Sequence, residues 1–170
     1  MLQTKISKSA PAYSRLATTA DIELLLKFIN KAFARDNYFK RTERTNSEQV
    51  MEYLQKGDFL LLEEQGELLG LVYADLREKG RGYIGLLTVN PDKQSRGIGS
   101  QLMQSAEDFC RDHGCSIAEI DVINLRPELV DWYRGQGYQV VGEAPYPRPE
   151  ILIQPCHFIA MQKGLPALES

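Results

Sequence analysis

Apolar side chains at Ile22, Leu25, Leu26, Ile29 and Phe33 recur at the spacing of one helical stripe, and Thr18, Thr19 or Asp21 can cap that helix. A short first strand is expected just before it, around Tyr13 to Ala17. Residues 35–46, RDNYFKRTERTN, lose the period and read as a loop. Ser47 then caps a second helix with Val50, Tyr53 and Leu54 inward and Gly57 closing it. The runs FLLLEE and ELLGLVYADL, divided at Gln65 and Gly66, predict a hairpin, and Lys79-Gly80-Arg81-Gly82 turns the chain into a third strand, Tyr83 to Val89. That third strand is apolar on both faces, which places it centrally in a sheet. A helix from about Gly99 to His113 follows, with Leu102, Met103, Ala106, Phe109 and Cys110 on one side and Gly114 at its end. SIAEIDVIN alternates as a strand. Pro127 opens a short helix carrying Leu129, Trp132 and Tyr133, and YQVVG and CHFIAMQ supply two further strands around a proline-stiffened loop. The predicted order is β-α-α-β-β-β-α-β-α-β-β.

Composition narrows the class. The chain has 170 residues, 43% of them apolar and 25% charged, the balance of a single domain. A chain this long buries roughly 70% of its unfolded surface, so it needs neither a disulfide nor a metal to supply a core. Twenty Lys and Arg against 23 Asp and Glu give a net charge of -3, which argues against a nucleic-acid partner, whose phosphates require a concentrated basic surface. Cys110, Cys115 and Cys156 form no C-x-x-C pair, and their odd number fits reduced thiols in a cytoplasmic compartment. The apolar stretches fall far short of the roughly 20 residues that cross a bilayer, so no membrane partner is expected. Residues 1–20 are basic and free of acid in the manner of a transit segment, although a frayed start is the preferred reading.

The segment richest in chemistry is LLTVNPDKQSRGIGSQL, where a buried strand runs through Gln94-x-x-Gly97-x-Gly99 into a helix. Glycines admit a diphosphate close to the backbone, and the first unpaired helical N–H groups and the positive dipole end attract its charge. A Rossmann fingerprint would need glycine at position 102, where Leu102 stands, and the Gly-Lys pair of a Walker loop occurs nowhere in the chain. Taken alone, the segment is equally a plain strand-to-helix turn.

With its surroundings, however, the chain resembles the GNAT superfamily of N-acetyltransferases over nearly its whole length, as a single domain with its core at about residues 12–163. The resemblance rests on Val89-x-Pro91, the Gln94-x-x-Gly97-x-Gly99 loop with its amphipathic helix, and Trp132-Tyr133-Arg134-x-x-Gly137-Tyr138. It implies an α/β (α+β) acyl-CoA N-acyltransferase fold, a mixed, mostly antiparallel, twisted sheet of six to seven strands flanked by about four helices. It also implies acetyl-CoA as cofactor. Leu87, Thr88 and Val89 would pair with the pantetheine arm as with an added strand. The loop from Gln94 through Ser95, Arg96, Gly97, Ile98 and Gly99 to Ser100 would hold the pyrophosphate. The Leu87 N–H would face the thioester oxygen, and Tyr133 would stand near the sulfur. A phenol near pKa ~10 giving its proton to a thiolate near ~8.5 is uphill by roughly 2 kcal/mol, so Tyr133 is expected to stabilise the sulfur by a hydrogen bond. The family's asparagine seven residues before this tyrosine is replaced by Arg126, leaving Asn124 or Arg126 as the cofactor contact.

The base is less obvious, because Tyr83 to Val89 contains no acid or histidine. A water relay anchored on Glu119 or Asp121, which share a strand face, is the expectation. Cys156 and His157 point to opposite faces of their strand, which disfavours a covalent route. His157 is a candidate for the acceptor pocket, as are Phe33, Tyr38, Phe39 and Arg44 from a cationic, aromatic rim suited to an acceptor bearing a carboxylate or phosphate. The expected activity is acetyl transfer to a small-molecule amine in a ternary complex, by a monomer or homodimer. The alternatives are a CoA-binding module without turnover, or an enzyme for protein or peptide amines.

Overall fold

The structure, a computed structural model, describes residues 13–34, 44–93 and 96–167. Its elements follow the predicted order: β1 (Arg15–Leu16), α1 (Ile22–Phe33), α2 (Ser47–Lys56), β2 (Asp58–Glu64), β3 (Glu67–Arg77), β4 (Arg81–Val89), α3 (Ile98–Asp112), β5 (Ile117–Ile123), α4 (Pro127–Gly135), β6 (Gln139–Pro145) and β7 (His157–Gly164). The strands form one mixed sheet in the order β1-β2-β3-β4-β5-β7-β6, with β4 in the middle and the β4–β5 pair parallel. No helix among the described residues is long and apolar enough to cross a membrane.

Local chemistry accounts for the boundaries. Thr18 and Asp21 form a capping box on a 3-10 turn that leads into α1, and Arg15 clamps both Asp21 oxygens at 2.8 and 2.9 Å. Asn46, rather than Ser47, caps α2, its side chain accepting from the Gln49 N–H at 2.9 Å. The β2–β3 turn places Gln65 and Gly66 at φ 50° and 78°, the paired positive angles of a tight hairpin. Lys79 and Gly80 turn β3 into β4, whereas Arg81 and Gly82, expected in that turn, already belong to the strand. Gly82 serves packing: a Cβ there would stand 2.6 Å from Cys110 Sγ on α3, and one at Gly70 would stand 2.7 Å from Leu102 Cδ1. These two glycines let α3 lie close on the sheet.

Two apolar layers result. Leu102, Met103, Ala106 and Cys110 of α3 pack against Val72, Ala74, Ile84 and Ile120 on one face. Leu25, Ile29 and Val50 of the first two helices cover Phe59, Leu71, Tyr73 and Leu86 on the other. Each Val, Leu, Ile, Phe or Met among them contributes about 1.5–3 kcal/mol by leaving water. At the far side Glu107, almost wholly buried, accepts from Lys163 Nζ at 2.6 Å and from the Tyr138 hydroxyl at 3.1 Å, tying α3 to the last strand.

Candidate active site

The site begins where the central strands separate. β4 and β5 pair only at Arg81↔Ile117, Gly82↔Ala118 and Tyr83↔Glu119. Beyond Tyr83, β4 has no strand partner on that side among the described residues. A bulge helps to turn it: the β3 register runs Leu71↔Thr88 and then Tyr73↔Gly85, so Leu86 and Leu87 together oppose Val72. Leu86 takes φ 53°, a left-handed conformation that costs a branched residue roughly 1–3 kcal/mol, and the buried Thr88 hydroxyl braces it by donating to the Leu86 carbonyl at 2.7 Å. The gap is the floor of a cleft of about 900 Å³, which also takes in residues from α1, α2, the start of α3, and α4.

One end of the cleft suits an anion. Gly97 caps α3 in the left-handed conformation, φ 73°, with open space where a Cβ would stand. The helical ladder starts with Gln101 N–H donating to the Gly97 carbonyl at 3.1 Å. The N–H groups of Ile98, Gly99 and Ser100 therefore have no partner among the described residues, and all three residues line the cleft. Gln94 and Ser95 lie outside the described residues. Arg96 is exposed and bonded to Glu64 at 3.2 Å, away from the lining.

Further along, Tyr133 of α4 lines the cleft, edge-on to Trp132 and Tyr138. Its hydroxyl has no hydrogen-bond partner among the described residues and is no sealed orphan, so it opens into the cleft. Burial pushes its pKa above the usual phenol range, with the neighbouring Tyr83 adding to the shift. Burial likewise raises Tyr83, to about 12. The Tyr83 ring lies along its own strand over Gly85, where a Cβ would meet it at 2.8 Å. Asp121 sits at the rim with no hydrogen bond among the described residues, its carboxyl raised mainly by desolvation, against which Arg77 works to lower it.

The other expected residues fall into two groups. Leu87, Thr88, Val89, Arg126 and Phe33 line the cleft together with Arg44. Glu119 lies beside it, in a small pocket of about 140 Å³, with Oε1 accepting from Arg81 at 3.1 Å and Gln162 at 3.3 Å. Asn124 is spent on the sheet: its Oδ1 accepts from the His157 N–H at 2.9 Å. His157 is outside the lining, 3.6 Å from Glu143, and the next residue, Phe158, faces the cleft instead. Tyr38 and Phe39 lie outside the described residues.

Residues 26–138 match the family described as Acetyltransferase (GNAT) family. The chain belongs to that family. No curated protein matches it. Among solved structures, the GNAT fold is shared with a ribosomal-protein-alanine N-acetyltransferase from Brucella melitensis at 19% identity and TM-score 0.71, covering 89% of this chain and 98% of that one. It is shared also with yncA, a putative acetyltransferase from Salmonella typhimurium solved with acetyl-CoA, at 18% identity and TM-score 0.67, covering 92% and 95%. A GNAT family acetyltransferase from Elizabethkingia anophelis, with acetyl-CoA bound, aligns at 17% identity and TM-score 0.64, covering 71% and 84%.

Several lining residues of this GNAT chain escaped sequence reasoning: Tyr73, Asp75 and Arg77 on β3, Tyr83 on β4, and Tyr146 and Arg148 after β6. A signal existed for the first three, since they share one strand face by the period of two and place polar atoms on an otherwise apolar strand. Tyr146 and Arg148 stand in a loop with no period to read.

Proposed function

We propose that the protein transfers the acetyl group of acetyl-CoA to the primary amine of a small molecule by direct attack within a ternary complex. One observation carries this: unspent N–H groups at the start of α3 and an unpaired strand edge on β4 open into the same cleft as an unspent phenol and a free carboxylate. Acetyl-CoA, when bound, supplies an activated acetyl thioester. The amides of Ile98, Gly99 and Ser100 receive its pyrophosphate, and Thr88 and Val89 offer backbone partners to its pantetheine arm. Of the two candidates for a cofactor contact, Arg126 is favoured, because it lines the cleft and Asn124 does not.

The Leu87 N–H holds the thioester oxygen as negative charge builds on it. Asp121, through water, takes one proton from the incoming ammonium; Glu119 is already committed to Arg81 and Gln162 and serves only to support the strand. A carbon–nitrogen bond forms, the carbon–sulfur bond breaks, and the electron pair leaves on sulfur. Tyr133 stabilises that sulfur as a hydrogen-bond donor, and the second nitrogen proton reaches it through solvent. One proton ends on the thiol and one in solution.

Calorimetry with acetyl-CoA, combined with a radiolabelled acetyl-CoA assay over a panel of amines, tests this function. Binding accompanied by transfer to at least one small amine is expected. Tight binding with no transfer to any amine would instead support the CoA-binding module.

A further inference from the structure

Nine arginines fall within the described residues, and seven of them hydrogen-bond a carboxylate. The two that do not are Arg44 and Arg77, and both line the cleft. Each is placed over an aromatic ring. Arg77 lies over the Tyr83 ring with Cζ 4.3 Å from the centroid, and Arg44 lies over Phe33 at 5.4 Å. Arg77 is ion-paired with Asp75 at 3.7 Å, too long for a hydrogen bond, and Arg44 has no carboxylate partner among the described residues.

A cation–π contact supports a guanidinium without a hydrogen bond to the ring edge or to a carboxylate, so its N–H groups are not spent on one. The supports are themselves set by the chain. Gly85 lets Tyr83 lie flat beneath Arg77, and Phe33 ends α1 at the cleft wall. Both guanidinium groups act on the Tyr83 phenol, opposing the burial that raises it, so they share one neighbourhood. Asp121 acts on the same phenol and joins Arg77 and Tyr83 in lining the small side pocket. A rigid pair of planar donors therefore stands beside the carboxylate assigned to receive the amine proton.

We infer that Arg44 and Arg77 form an oxyanion-binding pair, and that the acceptor is a primary amine carrying a carboxylate or phosphate. The amine lies toward Asp121 and the oxyanion toward the two arginines, which bind it through paired N–H edges. Asp121 disfavours an anion at the amine end of the cleft and so sets which end of the acceptor points toward the arginines. This inference rests on the acetyl-transfer function proposed above.

The test is a series of ω-amino carboxylates of two to five carbons, their amides and the matching ω-aminoalkyl phosphates, assayed with saturating acetyl-CoA. The anionic members are expected to exceed the amides by roughly tenfold or more in kcat/KM, mainly through KM, and the faster of the two anionic sets identifies the oxyanion. Arg44→Gln and Arg77→Gln should each cut that preference to about threefold or less. Acetyl-CoA affinity, measured by calorimetry, should stay within about twofold. Arg44→Gln removes no hydrogen bond from the described fold, so it remains informative if Arg77→Gln loosens Tyr83. Amides that match the anionic acceptors, a preference that survives both substitutions, or a panel left wholly unacetylated by protein that binds acetyl-CoA would each overturn the inference. Failure to bind acetyl-CoA would overturn the transfer function, and the acceptor assignment with it.

Discussion

Replacing Tyr133 by phenylalanine removes one oxygen that the described fold does not use, since no protein group hydrogen-bonds to it. Stability should therefore hardly change, and the thermal midpoint checks this. Full proton transfer from an ordinary phenol near pKa ~10 to a thiolate near ~8.5 is already uphill by roughly 2 kcal/mol, and burial raises Tyr133 further. The hydroxyl therefore stays protonated through the whole working range and acts as a donor. A hydrogen bond to a charged acceptor is worth about 1.5–3 kcal/mol, so its loss should lower kcat by roughly 10- to 100-fold. Because the sulfur gains charge only as it leaves, KM for acetyl-CoA should stay within about twofold. The assay is initial velocity by thiol release from pH 6 to 9.5, with the wild type showing no alkaline limb from this phenol. A Tyr133→Phe enzyme with unchanged kcat would refute the leaving-group role, and a fall confined to KM would move the hydroxyl to cofactor binding.

Gly97→Val puts a branched side chain at a left-handed cap facing open space; acetyl-CoA affinity measured by calorimetry should fall about 100-fold or more while the far-ultraviolet spectrum persists. Asp121→Asn should abolish the acid limb of the kcat/KM–pH profile. With its pKa raised by burial, that limb should lie at higher pH than for an ordinary carboxylate near ~3.9, activity falling as protonation removes the base. The same shift disfavours the charged form in the fold, so the substitution should not lower the thermal midpoint at neutral pH. Lys163→Met strands the Glu107 charge in a buried site and should cost about 3 kcal/mol, seen as a midpoint lower by roughly 6–12 °C. Glu107→Gln, which keeps an acceptor for the Tyr138 hydroxyl, should cost less in the same melt.

The order of elements was legible because helical stripes and glycine turns are local signals. Ile22 to Phe33 announces α1 by spacing alone, and the doubly apolar Tyr83 to Val89 announces the central strand. Parity was harder. Alternation places His157 and Phe158 on opposite faces, but nothing local says which face meets the cleft, and it is Phe158. No local pattern announces the tertiary bond in which the Asn124 side-chain oxygen accepts from the His157 backbone N–H. Nor did the letters reveal that Leu86, a branched residue, adopts φ 53°, since only the neighbouring strand and the Thr88 hydroxyl make that conformation tolerable. Arg44 was visible as one charge in a basic rim; its lack of a carboxylate partner is a property of the folded chain.

The three ladder pairs joining β4 to β5 have a mechanical meaning. The two halves of the sheet are sewn at one end, and along Ile84 to Val89 the stitches are left for another molecule to supply. A ligand laid there becomes part of the architecture as well as a guest in it. At 100 times its dissociation constant it would add about 2.7 kcal/mol to the folded state by mass action, and amide exchange should slow along that strand edge before it slows anywhere else.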